Sequence, residues 1–343
     1  MLKVSLSGTG KEIGERRATE LRSSIYLLIE HLLYHHNFCP EDCARWAERW
    51  KDEAEKNFPD LMEEIKSLGR TLNIDEDIIF AFNFRAWNAL ILHPSHYLSC
   101  YNIGFLDPNE GPILGGVVED FPPFYILEEV RPAKGYPFYS ITLAGTVWSV
   151  RGLNSQGLAA GQVSAFPGIV IKKGKFYFGT EDYARGYFLL RNVLQYCKDA
   201  KEAIDVFRRY SVIGNFMFAD RMGKIAVVEK AGTLTGIHFC KDRFITGGGH
   251  YLDRNLVAKL SLKGIIHTPD NMSVRRQQSV SFKAEKNSPS LRLMKKILLA
   301  HREEDGRFCN DIVQAATIAI PLKKQFYVAG PFPCQNRFKV FSL

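Results

Sequence analysis

The hydrophobic pattern of this chain changes near Tyr97, and the change limits the folds that the chain can adopt. Before Tyr97, apolar residues such as Ala18, Leu21, Ile25 and Leu28 recur at three- and four-residue steps, which is typical of helices. After it, short apolar runs are separated by Gly and Pro, which is typical of strands. Helical and strand-like segments then alternate to the end of the chain. This order predicts an α+β fold in which sheets pack together and helices lie outside them.

The predicted elements follow from these local patterns and from helix-starting residues such as Pro40. The predicted helices cover about Ile13–His36, Pro40–Trp50, Asp60–Leu68, Asp75–Trp87, Asp182–Gln195, Asp199–Tyr210, Asn271–Phe282 and Ser288–Ala300. The predicted strands lie around Tyr101 and at Leu114–Val118, Tyr125–Val130, Tyr139–Leu143, Trp148–Leu153, Gly157–Val163, Asn215–Ala219, Lys224–Glu229, Arg243–Gly247, Ala315–Ile320 and Gln325–Val328.

Composition narrows the class of protein. The chain has 343 residues, of which 46% are hydrophobic, so it can bury a large core in one domain or two. Its net charge of +8 predicts a basic surface. No RNA-binding aromatic signature or zinc-finger spacing accompanies that charge, so we expect no nucleic-acid partner. No apolar stretch reaches the length of about 18 residues that a membrane span needs, so none is expected.

The cysteines and histidines predict neither a disulfide framework nor a metal site. The seven cysteines are odd in number and irregular in spacing, which argues against a secreted disulfide scaffold. The N-terminal sequence has no apolar run behind its charges, so we expect no signal peptide and predict a cytoplasmic protein. His35, His36, Cys39 and Cys43 cluster in sequence, but their spacing matches no standard zinc pattern. We therefore predict no metal ion and no cofactor.

Cys100 begins the first predicted strand and supports two interpretations. Beside Tyr97 and Leu98 it has the setting of a packed core thiol. Alternatively, a cut at the Ser99–Cys100 bond would make it a new N-terminus, whose thiol and freed amine would serve as nucleophile and base in one residue. A thiol titrates near a pH of about 8.5 and an α-amine near about 8, so proton exchange between them is easy.

The rest of the chain carries several motifs in a characteristic order. They are GTGKEIGERRATEL near the start, then Cys100, GGVVEDF at Gly115–Phe121, GLNSQGL from Gly152, the hairpin Asn215–Glu229, SVRR at Ser273–Arg276 and the closing TIAIPLKKQFYVAGPFP. In this order they resemble the family of N-terminal nucleophile hydrolases that contains acyl-coenzyme A:6-aminopenicillanate (isopenicillin-N) acyltransferase. Choloylglycine hydrolases and acid-ceramidase-like amidases are wider relatives of that family. The resemblance covers nearly the whole chain.

The resemblance implies both a fold and an activity. The fold would be a four-layer αββα sandwich in residues 100–343, preceded by a helical pro-segment, residues 1–99, that becomes a small subunit after cleavage. The activity would be that of a cysteine-dependent amidase or acyltransferase, acting on a small amide or acyl thioester through an acyl-enzyme. The cleaved pro-segment would be a partner, and a homo-oligomer is a further expectation.

The resemblance also implies a set of site residues. Cys100 would be the nucleophile, and Asp120 would hold its freed amine. Arg276 would bind a carboxylate or phosphate group of the substrate, although an ion pair with another residue explains this arginine equally well. Gln162 and His250 complete the predicted substrate-binding set.

The chain departs from the family pattern in three places. Tyr101 stands where relatives usually have Thr, Val117–Val118 stands where they often have Arg-Asn, and Gly249 replaces the Asn of an Asn-His-Phe motif. Because that Asn can donate to the oxyanion hole, another donor has to replace it. We predict Asn154, with Gln162 or the backbone N–H of Gly249 as alternatives. The departures leave open a catalytically degenerate member, a binding or scaffold protein in which Cys100 is a packed thiol.

Overall fold

The computed structural model describes residues 1–35, 40–91, 100–120, 124–165, 171–172, 175–176, 180–260 and 272–343. Its helices are α1 (Gly10–His35), α2 (Pro40–Asn57), α3 (Pro59–Leu72), α4 (Glu76–Ile91), α5 (Thr180–Tyr196), α6 (Ala200–Arg209), α7 (Arg254–Lys259), α8 (Met272–Lys286) and α9 (Leu291–Leu298). Its strands are β1 (Lys3–Gly8), β2 (Tyr101–Asp107), β3 (Gly111–Glu119), β4 (Tyr125–Pro132), β5 (Phe138–Leu143), β6 (Arg151–Asn154), β7 (Leu158–Val163), β8 (Ile171–Lys172), β9 (Lys175–Phe176), β10 (Val212–Asp220), β11 (Ile225–Gly232), β12 (Leu234–Phe239), β13 (Phe244–Gly247), β14 (Val313–Ile320), β15 (Gln325–Ala329) and β16 (Lys339–Ser342).

Two large sheets form the centre of the structure. The eight-stranded sheet has the order β1-β4-β5-β6-β7-β10-β11-β12, and the six-stranded sheet has the order β13-β2-β3-β14-β15-β16. Only the β1–β4 pair of these two sheets is parallel. Strands β2, β3 and β14 of the smaller sheet face β6, β7 and β10 of the larger one. Buried polar residues of the candidate functional site meet in the space between these strands.

Helices cover the outer face of each sheet. α1, α5 and α6 pack on the eight-stranded sheet, and α8 and α9 pack on the six-stranded sheet. The buried apolar side chains form two large clusters. One includes the buried side chains of α1, α3 and α5, and the other lies between the six-stranded sheet and helices α8 and α9. The central strands thus bury one row of side chains against the helices and the other against the opposite sheet. The predicted αββα sandwich is confirmed.

The N-terminal segment belongs to this sandwich and adds a strand that the sequence analysis did not predict. β1 pairs with β4 from Lys3 to Gly8, and its side chains alternate, with Val4 and Leu6 buried. A strand of six residues with two buried side chains is too short to stand out by periodicity alone. β12 and β16 were also missed, because both are edge strands that bury few side chains.

A buried network of charges ties the N-terminal segment to the rest of the fold. Arg17 of α1 donates to Glu64 of α3 at 2.7 Å and to both carboxylate oxygens of Glu128 of β4 at 2.8 and 3.0 Å. Arg191 of α5 donates to the other oxygen of Glu64 at 3.0 Å. Burial alone would lower the pKa of Arg17, but Glu128 and Glu64 outweigh it and raise that pKa above its usual value. The four charges are therefore held together in the core.

None of the helices in the described ranges combines the length and apolar character that crossing a membrane requires.

Some sequence predictions concern residues that the structure does not describe. Ser99, His36 and Cys39 lie outside the described residues, as do the side chains of His35 and Cys43. The proposed cut site is consequently visible only on its Cys100 side.

Candidate functional site

Cys100 lies directly before β2, with its thiol buried against β3. The backbone N–H of Glu119 donates to Cys100 Sγ at 3.4 Å, and the carbonyl oxygen of Glu119 lies 3.6 Å from the same sulfur. The side chain is 6% exposed. Burial raises the pKa of the Cys100 thiol to about 12. In the continuous chain the thiol is therefore protonated at neutral pH.

The alternation of side chains along β2 directs Cys100 into the space between the sheets. Tyr101 lies on the outer face, where its ring packs edge-on to Phe308 with centroids 5.6 Å apart. Asn102 lies on the inner face and donates from Nδ2 to the carbonyl oxygen of Gly161, 3.0 Å away on β7 of the opposite sheet. Cys100 is two residues before Asn102 and shares its face.

Arg151 of β6 reaches into the same space from the eight-stranded sheet, and the sequence analysis missed it. The residue is fully buried, and its Nη2 donates to the carbonyl oxygens of Tyr101 at 2.6 Å and Val117 at 3.2 Å. Its Nε and Nη1 have no hydrogen-bond partner among the described residues, and no described carboxylate forms an ion pair with it. Burial lowers the pKa of Arg151 to about 10, and Cys100 acts in the opposite direction. The guanidinium is thus close to the thiol and not fully satisfied.

Two glycines on facing strands make room for this arginine. A Cβ on Gly116 of β3 would lie 2.4 Å from Arg151 Nη1, and a Cβ on Gly161 of β7 would lie 3.0 Å from it. Contacts below about 3 Å require the neighbouring group to move, and Arg151 is enclosed. Gly116 and Gly161 were therefore a usable sequence signal for a large side chain between two sheets.

Asp120 follows β3 immediately and is buried at the same end of it. Its carboxylate accepts a hydrogen bond from the Tyr125 hydroxyl at 2.5 Å. Its backbone N–H donates to Ile312 at 3.1 Å, and its carbonyl oxygen accepts from Gln314 Nε2 at 2.9 Å. After burial itself, the charges of Glu119 and Asp120 also raise the pKa of Cys100. The structure thus brings Asp120 into electrostatic range of the thiol.

Arg276 lies in a buried ion pair with Glu119. It is fully buried in α8 and donates to the Glu119 carboxylate at 2.5 Å and to the carbonyl oxygens of Gly306 at 3.1 Å and Arg307 at 2.7 Å. The interpretation as an ion pair therefore describes the contacts of Arg276, and a substrate contact stays a prediction. Since the backbone of Glu119 contacts Cys100, Arg276 holds the strand on which the thiol rests.

Asn154 was predicted as an oxyanion donor, but the structure engages its amide elsewhere. Both of its amide hydrogens are used, because Nδ2 donates to the carbonyl oxygens of Leu194 at 3.0 Å and Cys197 at 2.7 Å at the end of α5. Its Oδ1 accepts from the backbone N–H groups of Gln156 and Leu158. Asn154 is three residues after Arg151 on one strand, so it points to the opposite face of the sheet.

Asn154→Ala is expected to cost stability without slowing any cleavage at the predicted Ser99–Cys100 site. The substitution leaves two buried carbonyls without donors, which lowers the free energy of unfolding by about 1–3 kcal/mol. Ser155→Ala in the same turn is the control and should change it by less than about 0.5 kcal/mol. Denaturant unfolding measures the first effect, and the rate of cleavage at Cys100 measures the second. A slower rate per folded molecule would restore Asn154 as a donor.

Gln162, Gly249 and His250 are not placed at the thiol either. Gln162 of β7 faces α5, where a Cβ on Gly186 would lie 3.4 Å from its Nε2. The N–H of Gly249 donates to Ser273 Oγ at 2.8 Å, so that alternative donor is in use. The ring of His250 bonds to Ser273 at 2.7 Å and to Gln277 at 3.0 Å, both on α8. These positions are away from the thiol, and the roles of Gln162 and His250 in substrate binding stay predictions.

Comparisons with known proteins give similarity in structure only. No family model matches the sequence, and no curated protein matches it. Penicillin V acylase from Agrobacterium tumefaciens has 16% identity and a TM-score of 0.40, covering 67% of this chain and 83% of that one. A mutant of conjugated bile acid hydrolase from Clostridium perfringens has 13% identity and a TM-score of 0.41, covering 71% and 97%. The Caenorhabditis elegans ortholog of N-acylethanolamine-hydrolyzing acid amidase has 12% identity and a TM-score of 0.47, covering 71% and 100%. At these values the similarity assigns no activity to this chain.

Proposed function

We propose that this chain is a cysteine-dependent amide-cleaving enzyme of the N-terminal nucleophile type, which matures by cutting its own Ser99–Cys100 bond. One observation carries the proposal. The buried guanidinium of Arg151 lies beside the Cys100 thiol with Nε and Nη1 unpartnered among the described residues. A buried charge without a counter-ion is costly, so the site favours a group that develops negative charge next to it. A thiolate and the oxyanion of an acyl intermediate on that sulfur are both such groups.

Maturation needs no group beyond the chain and water. The Cys100 sulfur attacks the carbonyl carbon of Ser99, and the thiol proton moves to the departing backbone nitrogen. The acyl chain is then a thioester on sulfur, and the amine of Cys100 is free. Water hydrolyses the thioester, so that Ser99 ends in a carboxylate and the thiol is restored. The oxyanion formed in each addition step is the charge that Arg151 would stabilise, a contribution of about a hundredfold or more in rate for one well-placed donor.

The mature site would combine three roles. The free amine of Cys100 titrates near about 8 and accepts the thiol proton, which lets the sulfur attack a substrate carbonyl near neutral pH. Asp120 would hold that amine, since its carboxylate already lies in electrostatic range of the thiol. The substrate would be a small amide or acyl thioester. Water as acceptor makes the enzyme a hydrolase, and an amine as acceptor makes it a transferase.

Cleavage of the chain is tested directly by intact mass. Wild-type protein is expected to give one fragment that ends at Ser99 and one that begins at Cys100, whereas Cys100→Ala stays whole. Cys197→Ala is the matched control, because Cys197 is another buried cysteine and burial likewise raises its pKa, to about 12. It should be cut like the wild type. Equal cutting of wild type and Cys100→Ala would remove Cys100 from the mechanism.

A binding or scaffold function is the second candidate, and the buried, protonated thiol favours it. If the bond stays intact, Cys100 keeps a pKa of about 12 and remains a packed thiol. The two functions differ in reactivity towards iodoacetamide at neutral pH. An enzyme should present Cys100 as a fast-reacting residue in cut protein, and a scaffold should give a single uncut species in which exposed Cys334 reacts first.

A further inference from the structure

Three side chains with metal-binding atoms meet in the loops beside the six-stranded sheet. His301 lies just after α9, Cys309 lies in the loop before β14, and Cys334 lies between β15 and β16. One ligand atom from each lies within 4.8 Å of the others, and His301 Nδ1 is 3.9 Å from Cys334 Sγ. The three residues come from three separate loops, so sequence spacing does not reveal the cluster.

Backbone hydrogen bonds hold these donors in place. The N–H of Cys309 donates to the carbonyl oxygen of Ala300, one residue before His301, at 2.9 Å. The N–H of Cys334 donates to Cys309 Sγ at 3.4 Å. The turn that presents Cys334 is closed by a hydrogen bond from the N–H of Gln335 to Phe332 at 2.9 Å. The loops are thus joined before any ligand binds, which lowers the entropy cost of assembling a site.

We propose that His301, Cys309 and Cys334 bind a zinc ion. Two sulfurs and one imidazole nitrogen form a donor set that Zn²⁺ prefers, and three protein ligands with a fourth open position are a known zinc arrangement. A tetrahedral site places a thiolate sulfur and an imidazole nitrogen about 3.6 Å apart, close to the distance between His301 and Cys334. Cys309 is buried, while His301 and Cys334 are exposed, so water can occupy the fourth position.

A disulfide between Cys309 and Cys334 is the competing use of the same thiols. Such a bond joins the two sulfurs and involves no interaction with the imidazole of His301. The third donor, which lies within 4.8 Å of both sulfurs, is the observation that favours a metal ion.

The cluster lies next to the loop that contacts the end of β3. Cys309 precedes Asn310, whose Nδ2 donates to the Glu119 carboxylate at 2.7 Å, and Ile312 accepts from the N–H of Asp120 at 3.1 Å. A zinc ion on Cys309 would therefore fix the loop that holds the end of β3. This inference does not depend on the proposed chemistry of Cys100.

Metal binding is tested on the full chain, purified with a chelator and a reductant. We expect the wild type to bind one Zn²⁺ per chain in competition with a chromophoric chelator, and to show a thiolate charge-transfer band when Co²⁺ is added. Cys334→Ser and His301→Ala should each weaken Zn²⁺ binding by about a hundredfold. Cys240→Ser is the control, because Cys240 is a partly exposed cysteine outside the cluster, and it should bind zinc like the wild type. Circular dichroism checks that each variant is folded.

Three results would contradict zinc binding at this cluster. Zinc binding by the wild type no tighter than by folded Cys334→Ser would overturn the proposal. So would an unreduced protein whose mass lacks two hydrogen atoms and whose reduced form takes up no zinc, since that result identifies a disulfide between Cys309 and Cys334. Loss of zinc binding in Cys240→Ser alone would place the ion elsewhere.

Discussion

Arg151→Met is expected to slow the proposed cleavage at Ser99–Cys100 by about a hundred- to a thousandfold, because it removes the donors that we propose for the developing oxyanion. The same substitution should change the free energy of unfolding by less than about 2 kcal/mol. Losing two hydrogen bonds to the carbonyls of Tyr101 and Val117 is destabilising, but a buried charge without a carboxylate partner disappears as well. Activity and stability should therefore respond differently. The readouts are the rate of fragment formation and a urea unfolding curve.

Arg191→Met is the matched control for this prediction. Arg191 is also a buried arginine, but it lies on α5 and pairs with Glu64 at 3.0 Å. Removing it leaves Glu64 with less compensation, so the loss of stability should be about 3–5 kcal/mol. Cleavage per folded molecule should stay at the wild-type rate. If Arg151→Met instead cleaves at that rate, Arg151 is a structural residue and the proposed oxyanion site is wrong.

The layered fold was predictable because its signals are local. Helical periodicity in the first segment and Gly- and Pro-bounded strands after it were enough to predict an α+β arrangement of sheets and outer helices, and the order of the motifs added the αββα sandwich. β1 escaped because the pairing partner that stabilises it, β4, lies more than a hundred residues away in sequence. Edge strands such as β12 bury few side chains, so their sequences carry little of the pattern by which strands are recognised.

The candidate site was predicted less well, because it depends on which face of a strand a residue occupies. Asn154 and Arg151 lie on the same strand, and a difference of three residues places them on opposite faces. The motif GLNSQGL drew attention to the amide, while the arginine just before it carries the unpartnered donors. Cys100 and Asp120 come together because β2 and β3 form a hairpin with known register. β2 and β3 are close together in sequence, so their pairing could be inferred.

The N-terminal segment differs from a detachable pro-segment in how it is held. β1 extends the eight-stranded sheet, and Asn83 of α4 receives a hydrogen bond at Oδ1 from the N–H of Val147 at 2.9 Å. Its carbonyl oxygen accepts from Trp148 Nε1 at 3.1 Å. A cut at Ser99–Cys100 would therefore leave two fragments that remain together. We propose that residues 1–99 stay bound as a small subunit.

Arg17→Met is expected to weaken this association and to lower the free energy of unfolding by about 3–5 kcal/mol. Arg17 is fully buried and bonds to Glu64 on its own side of the cut and to Glu128 on the other side. Without it, two buried carboxylates lose their shared cation. Urea unfolding of the whole chain measures the stability, and gel filtration of cut protein measures whether the fragments separate.

Lys3→Met is the control that separates a buried ion pair from an exposed one. Lys3 of β1 bonds to Glu129 of β4 at 2.7 Å, so it joins the same two segments, but its side chain is 37% exposed. An exposed pair of this kind contributes less than about 1 kcal/mol, because water screens it. Lys3→Met should consequently leave the fragments associated. If Arg17→Met costs no more than Lys3→Met, the buried charges do not hold the segments together, and apolar packing, the β1–β4 pairing and the hydrogen bonds of Asn83 must do so instead.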